Sequence, residues 1–176
     1  DLLLALPRPK VMRRLWAQLA ALGVRRIMLT NAARVERHYF DSHIVTPECY
    51  RPLLVEGLQQ ARDTRMPLVT IHRQFPPFIE DDLGALPRAA TRLVANPDAI
   101  VSVAAALTGR AEGRVVLAIG PEGGWNAFER QLLEAHAFGA IGMGRRTLRS
   151  DTACVALLAL VHQELEWAKA EGEGGR

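Results

Sequence analysis

The run Gly120-Pro121-Glu122-Gly123-Gly124 sets one carboxylate inside a turn whose glycines let main chain come close to a bound molecule. A second run, Gly144-Arg145-Arg146-Thr147-Leu148-Arg149, puts Arg146 and Arg149 on either side of Leu148. The carboxylate suits a general base or an orienting group. The arginines suit a phosphate or a developing oxyanion. Each has a plainer use: Glu122 could cap backbone amides, and the arginines could pair with Asp151 or Glu122. Ser150, Asp151 and Thr152 are the residue types of a helix cap. Upstream, Arg34, Arg37, His38 and Tyr39 form a basic cluster with an aromatic among it, the composition of a nucleic-acid surface or of a solvated loop.

Elements must hold these residues. The β-branched run 115–119 reads as a buried strand. Asn126 with Glu129 three residues on predicts a capping box and a helix to about Ala137. A short strand near 140–143 opens into the arginine loop. A final helix is expected over 151–168, with 169–176 as a frayed tail. In a parallel sheet both special loops leave the carboxyl edge, where ligands of open α/β folds bind. Earlier strands are expected at 2–6, 27–29, 68–71 and 91–95. Helices are expected from Val11 to Leu22 ending at Gly23, from the cap Thr46-Pro47 to about Arg62, and over 99–107. Residues 31–45 read as a surface loop or short helix, 75–86 as a loop with a short helix around 79–83, and 109–113 as a turn. The alternation predicts an α/β fold with a mainly parallel sheet and helices on both faces.

Length fits a single domain over 1–176 with a real core. A net charge of +3 favours an anionic partner only slightly. Cys49 and Cys154 lie far apart and the histidines lack metal-ligand spacing, so no disulfide and no metal site are expected, and a reduced cytoplasmic setting fits best. No signal peptide or long apolar span is visible. The last helix is apolar nearly all round as far as Val161, which calls for cover by a partner subunit. The first β-α turn, Pro7-Arg8-Pro9-Lys10, carries no Gly-x-Gly-x-x-Gly, and no Gly-Lys-Ser/Thr follows a glycine loop. Ordinary dinucleotide and P-loop folds are therefore excluded.

Ile119-Gly120-Pro121-Glu122-Gly123-Gly124 together with Gly144-x-Arg146-x-Leu148-Arg149-x-Asp151-Thr152-Ala153 resembles the SPOUT (trefoil-knot) methyltransferases. The likeness is to the bacterial enzymes that methylate uridine N3 in small-subunit ribosomal RNA. Weaker matches are Leu22-Gly23-Val24, residues 60–67 and Asn96-Pro97-Asp98-Ala99. The family usually has Lys and Glu where Gln18 and Ala21 stand, often His at Asn96, and Glu at Asp151. The resemblance implies a C-terminal trefoil knot, an exception to the rule against threading. It implies S-adenosylmethionine as cofactor, ribosomal RNA as partner and a homodimer packed through helix 151–168. The family usually carries an N-terminal RNA-binding domain of PUA type, which is not expected within residues 1–176.

Carried over residue by residue, the resemblance assigns cofactor contact to Ala95, Asn96, Ile119, Gly120, Pro121, Gly123, Gly124, Met143, Gly144, Leu148, Thr152 and Ala153. From their own chemistry, Glu122, Arg149 and Arg146 are the candidates for catalysis, and Arg34, Arg37 and Arg146 those for RNA contact. Methylating N3 requires removing its proton from an unpaired or extruded base. Trp125 is a candidate to stack on that base, while Trp16 and Trp167 read as packing residues. The alternatives are a ribose 2′-O-methyltransferase of transfer or ribosomal RNA, and a non-catalytic RNA-binding or assembly factor that kept the fold.

Overall fold

Six short apolar runs pair into one wholly parallel sheet in the computed structural model, which describes residues 1–83, 90–108 and 114–174, with side chains through 166. The strands are β1 (Leu2–Ala5), β2 (Arg26–Thr30), β3 (Leu68–His72), β4 (Thr91–Ala95), β5 (Val115–Ile119) and β6 (Phe138–Ile141). Their order across the sheet is β3-β2-β1-β5-β4-β6. β1 and β5 pair at the centre, with Leu2 beside Leu117, and every residue of both is buried. Burial on both faces is why these strands read as unbroken apolar runs rather than alternating ones. β6 skips β5 and pairs with β4, so the loops after β4, β5 and β6 open along one stretch of the carboxyl edge.

The helices are α1 (Pro9–Ala21), α2 (Pro47–Ala61), α3 (Phe75–Pro77), α4 (Val103–Leu107), α5 (Ala127–Ala135) and α6 (Ser150–Gly174). Pro9 and Pro47 open α1 and α2, where a missing N–H costs nothing. Gly23 closes α1 with φ +71°, as expected for a left-handed cap. The buried face of α1 carries Met12, Leu15, Trp16, Leu19 and Ala20, and the Trp16 indole donates to the Ile44 carbonyl at 3.0 Å. The short helix expected around 79–83 is present as a π-helical turn, Phe78–Asp82, and α3 leads into it where a loop was expected. Residues 31–45 form two 3-10 turns, Arg37–Asp41 and His43–Val45.

α4 starts four residues later than expected because Ser102 caps it, accepting from the Ala105 amide at 3.1 Å. β6 ends at Ile141, so Met143 lies in the loop beyond it. The helical backbone of α6 reaches Gly174, past the expected end at 168. The turn expected at 109–113, part of the segment 75–86 and the packing of Trp167 lie outside what is described.

α6 packs on α1, α4 and β5 through Cys154, Leu157, Leu158 and Val161, and leaves Leu160 exposed. Burial pushes the Cys154 thiol up to about 12, while Cys49 is only half-buried. Iodoacetamide on native protein at pH 8 is therefore expected to label Cys49 alone, with Cys154 reacting after denaturation; a peptide map showing Cys154 labelled natively would contradict its burial. No helix among the described residues is long and apolar enough to cross a membrane.

Candidate functional site

Three loops at the carboxyl edge build one cavity of about 720 Å³. The first follows β4. Asn96 accepts the Asp98 amide on its side chain and the Ala99 amide on its carbonyl, both at 3.0 Å, which makes a tight turn. The Asn96 amide in turn bonds the Ile141 carbonyl at 2.9 Å, and the Gly142 amide bonds the Val101 carbonyl at 2.9 Å. The chain beyond β6 is thereby laid directly on the loop beyond β4. A methyl group at Gly142 would stand 2.3 Å from the Ala99 carbonyl oxygen.

The second loop is the glycine turn after β5. Gly124 has φ +72° and donates to the Pro121 carbonyl at 2.7 Å, a conformation that glycine takes without strain. The expected capping box then starts α5: the Glu129 amide bonds Asn126 Oδ1 and the Asn126 amide bonds Glu129 Oε2, each at 2.8 Å. Glu129 is buried, and its other oxygen accepts the Ala33 amide at 2.6 Å. That bond moors the segment after β2 against the turn. From there Arg34 donates to the Gly123 and Gly124 carbonyls. An arginine expected at RNA thus bridges to the glycine loop and lines the cavity.

Glu122 lies on the cavity wall, and its carboxylate stands 3.3 Å from the guanidinium of Arg8. It accepts no backbone amide among the described residues. Asp151 is held by Arg14 at 2.8 Å, a hydrogen bond that keeps its carboxyl below the ordinary aspartate range. Both plain partners for Arg146 and Arg149 are therefore engaged elsewhere. These two arginines are exposed on the third loop and make no ion pair among the described residues.

Nine of the twelve expected cofactor positions line the cavity: Ala95, Asn96, Ile119, Gly120, Pro121, Gly123, Gly124, Leu148 and Ala153. Met143, Gly144, Thr152, Arg146, Arg149 and Arg37 do not. Sequence reasoning missed Arg130 and Glu134, which face the cavity from α5; their spacing of one helical turn was the available signal. Trp125 is buried and stacked on Phe75 at 5.0 Å, so its ring packs rather than presents a face to a base. Trp125 Nε1 and Ser150 Oγ, both on residues of the cavity wall, are buried without a hydrogen-bond partner. Two orphaned polar atoms, glycine main chain and an apolar lining of Ile119 and Leu148 together fit a polar, nucleoside-sized molecule. Among the described residues no cluster could hold a metal ion.

A family model described as the RNA methyltransferase domain matches residues 1–162. A ribosomal RNA small subunit methyltransferase E of Treponema pallidum is 34% identical over 163 residues, covering 91% of this chain and 60% of that protein. A protein of the same name from Borreliella burgdorferi, numbered 1, is 23% identical over 164 residues, covering 93% and 66%. The chain spans about three fifths of the first relative's length. Among solved structures, a ribosomal RNA small subunit methyltransferase E from Neisseria gonorrhoeae bound to S-adenosyl methionine superposes with TM-score 0.77 at 21% identity, covering 92% of this chain and 64% of that one. At that identity the likeness concerns the fold.

Proposed function

Because the chain belongs to the RNA methyltransferase domain family, we propose that it transfers a methyl group from S-adenosylmethionine to N3 of a uridine in small-subunit ribosomal RNA. The observation that carries this reading is the meeting of the glycine turn and the chain beyond β6 around one cavity. The cofactor would be held by Ala95, Asn96, Ile119, Gly120, Pro121, Gly123, Gly124, Leu148 and Ala153, with Met143, Gly144 and Thr152 at its margin. It supplies an electrophilic methyl group on a sulfonium. The names and cofactor of the small-subunit relatives support this choice.

The chain's own residues do the rest. Glu122 takes the N3 proton or orients the base, and Arg8 fixes where that carboxylate stands. Arg149 and Arg146, free of acidic partners among the described residues, stabilise the negative oxygen of the deprotonated uracil or hold a neighbouring phosphate. Arg37 extends the RNA contact, while Arg34 holds the glycine turn through its carbonyls. On the same reading the segment after β6 threads the loop after β4 to form the trefoil knot, supported by the seating of Gly142 against Ala99 and Asn96. A second copy covers the exposed side of α6, supported by Leu160 standing outside the buried stripe. Such a protein would work in the cytoplasm, where its RNA is.

The test is methyl transfer from labelled S-adenosylmethionine to small-subunit ribosomal RNA by the full-length protein, with the product mapped by nuclease digestion and mass spectrometry. Label on uracil N3 is expected. Label on ribose replaces this reading with the 2′-O one, and cofactor binding without any transfer overturns it.

A further inference from the structure

At the opposite edge of the sheet, where β2 and β3 begin, lies a separate depression of about 520 Å³ lined by Arg25, Arg26, Arg65, Met66 and Leu68. Arg26 and Leu68 are register partners, and the Leu68 amide bonds the Arg25 carbonyl at 3.0 Å, so the floor is rigid sheet. One wall is equally fixed, since Asp63 Oδ1 accepts the Thr64 amide at 2.7 Å and the Arg65 amide at 3.0 Å. Three guanidinium groups share this hollow, and none forms an ion pair among the described residues. The nearby acids are engaged: Asp63 by those amides, and Asp1 by Arg114 at 3.0 Å. Arg26 is half-buried, and its Nε is fully buried without a hydrogen-bond partner. A buried guanidinium nitrogen without a partner is costly unless a ligand supplies one.

We infer that this hollow binds a phosphodiester of the RNA substrate, a second RNA grip remote from the methyl-transfer cavity. Arginine forks match phosphate oxygens in pairs, and exposed Met66 and Leu68 offer an apolar ledge for the attached sugar or base. The inference rests on the RNA-modifying reading above. The carboxyl-edge cavity and this hollow lie at opposite ends of the strands, so an RNA reaching both must be longer than the target loop alone.

The test is RNA binding by the full-length protein, measured across salt concentrations, with small-subunit ribosomal RNA as probe. The double variant Arg25→Ala/Arg65→Ala is expected to bind about tenfold more weakly at low salt, with the slope of log K against log salt flatter by roughly 1 to 2. Arg25→Lys/Arg65→Lys is expected to restore most of the slope, which a merely structural role would not do. S-adenosylmethionine affinity should be unchanged in both variants. An unaltered RNA affinity and slope in the alanine variant overturns the inference, as does parent protein that binds no RNA. Parent protein that binds RNA and transfers no methyl group overturns the function reading instead, while the slope still decides this one.

Discussion

Glu122→Gln is expected to lower kcat by about 10²- to 10⁴-fold while S-adenosylmethionine affinity stays within about threefold. The amide keeps the shape of the side chain and one hydrogen-bond acceptor, but it cannot take a proton from the uridine. Stability should barely move, because the partner of Glu122 is the exposed Arg8 and exposed ion pairs contribute little. Nothing else in the described fold leans on this carboxylate: the helix cap of α5 is made by Asn126 and Glu129. Single-turnover transfer with calorimetric cofactor binding separates the two quantities. A variant that turns over like the parent would remove Glu122 from the chemistry.

Gly142→Ala is expected to cost about 10²-fold in kcat/KM and about 2 kcal/mol of stability, a drop of roughly 4–8 °C in Tm for a chain of this size. The added methyl would stand 2.3 Å from the Ala99 carbonyl oxygen and 3.3 Å from that of Asn96. Both obstacles are backbone, so no rotamer change relieves them. The loop after β4 must move away from the chain after β6, and Asn96 and Leu148, which line the cavity from those two sides, move apart. Thermal melts and steady-state methyl transfer check these two effects, and cofactor titration reads the cavity itself. Unchanged cofactor affinity would mean that the close seating of these loops does not shape the cavity.

The features legible in the sequence were local ones. β5 announced itself by five apolar residues, and the start of α5 by a cap and its reciprocal glutamate, both within a few positions. The glycine turn was readable because main-chain approach demands particular residue types, whereas the other cavity positions named in advance came through the family resemblance. Long-range contacts were not. Arg34 meets Gly123 across just over half the chain, and Arg8 meets Glu122 across a greater distance still. Nothing in the type of either arginine says that it will meet a loop rather than RNA. The bond made by Trp16 was hidden for the same reason: its acceptor, the Ile44 carbonyl, is supplied by a 3-10 turn that periodicity does not describe.

The central pairing of Leu2 with Leu117 has a consequence for biosynthesis. β1 leaves the ribosome well ahead of β5, the neighbour that shields one of its edges. Until β5 emerges the backbone edge of β1 stands open to whatever strand drifts past. Contacts between positions this distant form slowly, and the waiting edge invites misassembly. A chaperone holding the nascent β1–β2–β3 half would therefore raise the yield of native protein more than one added after release.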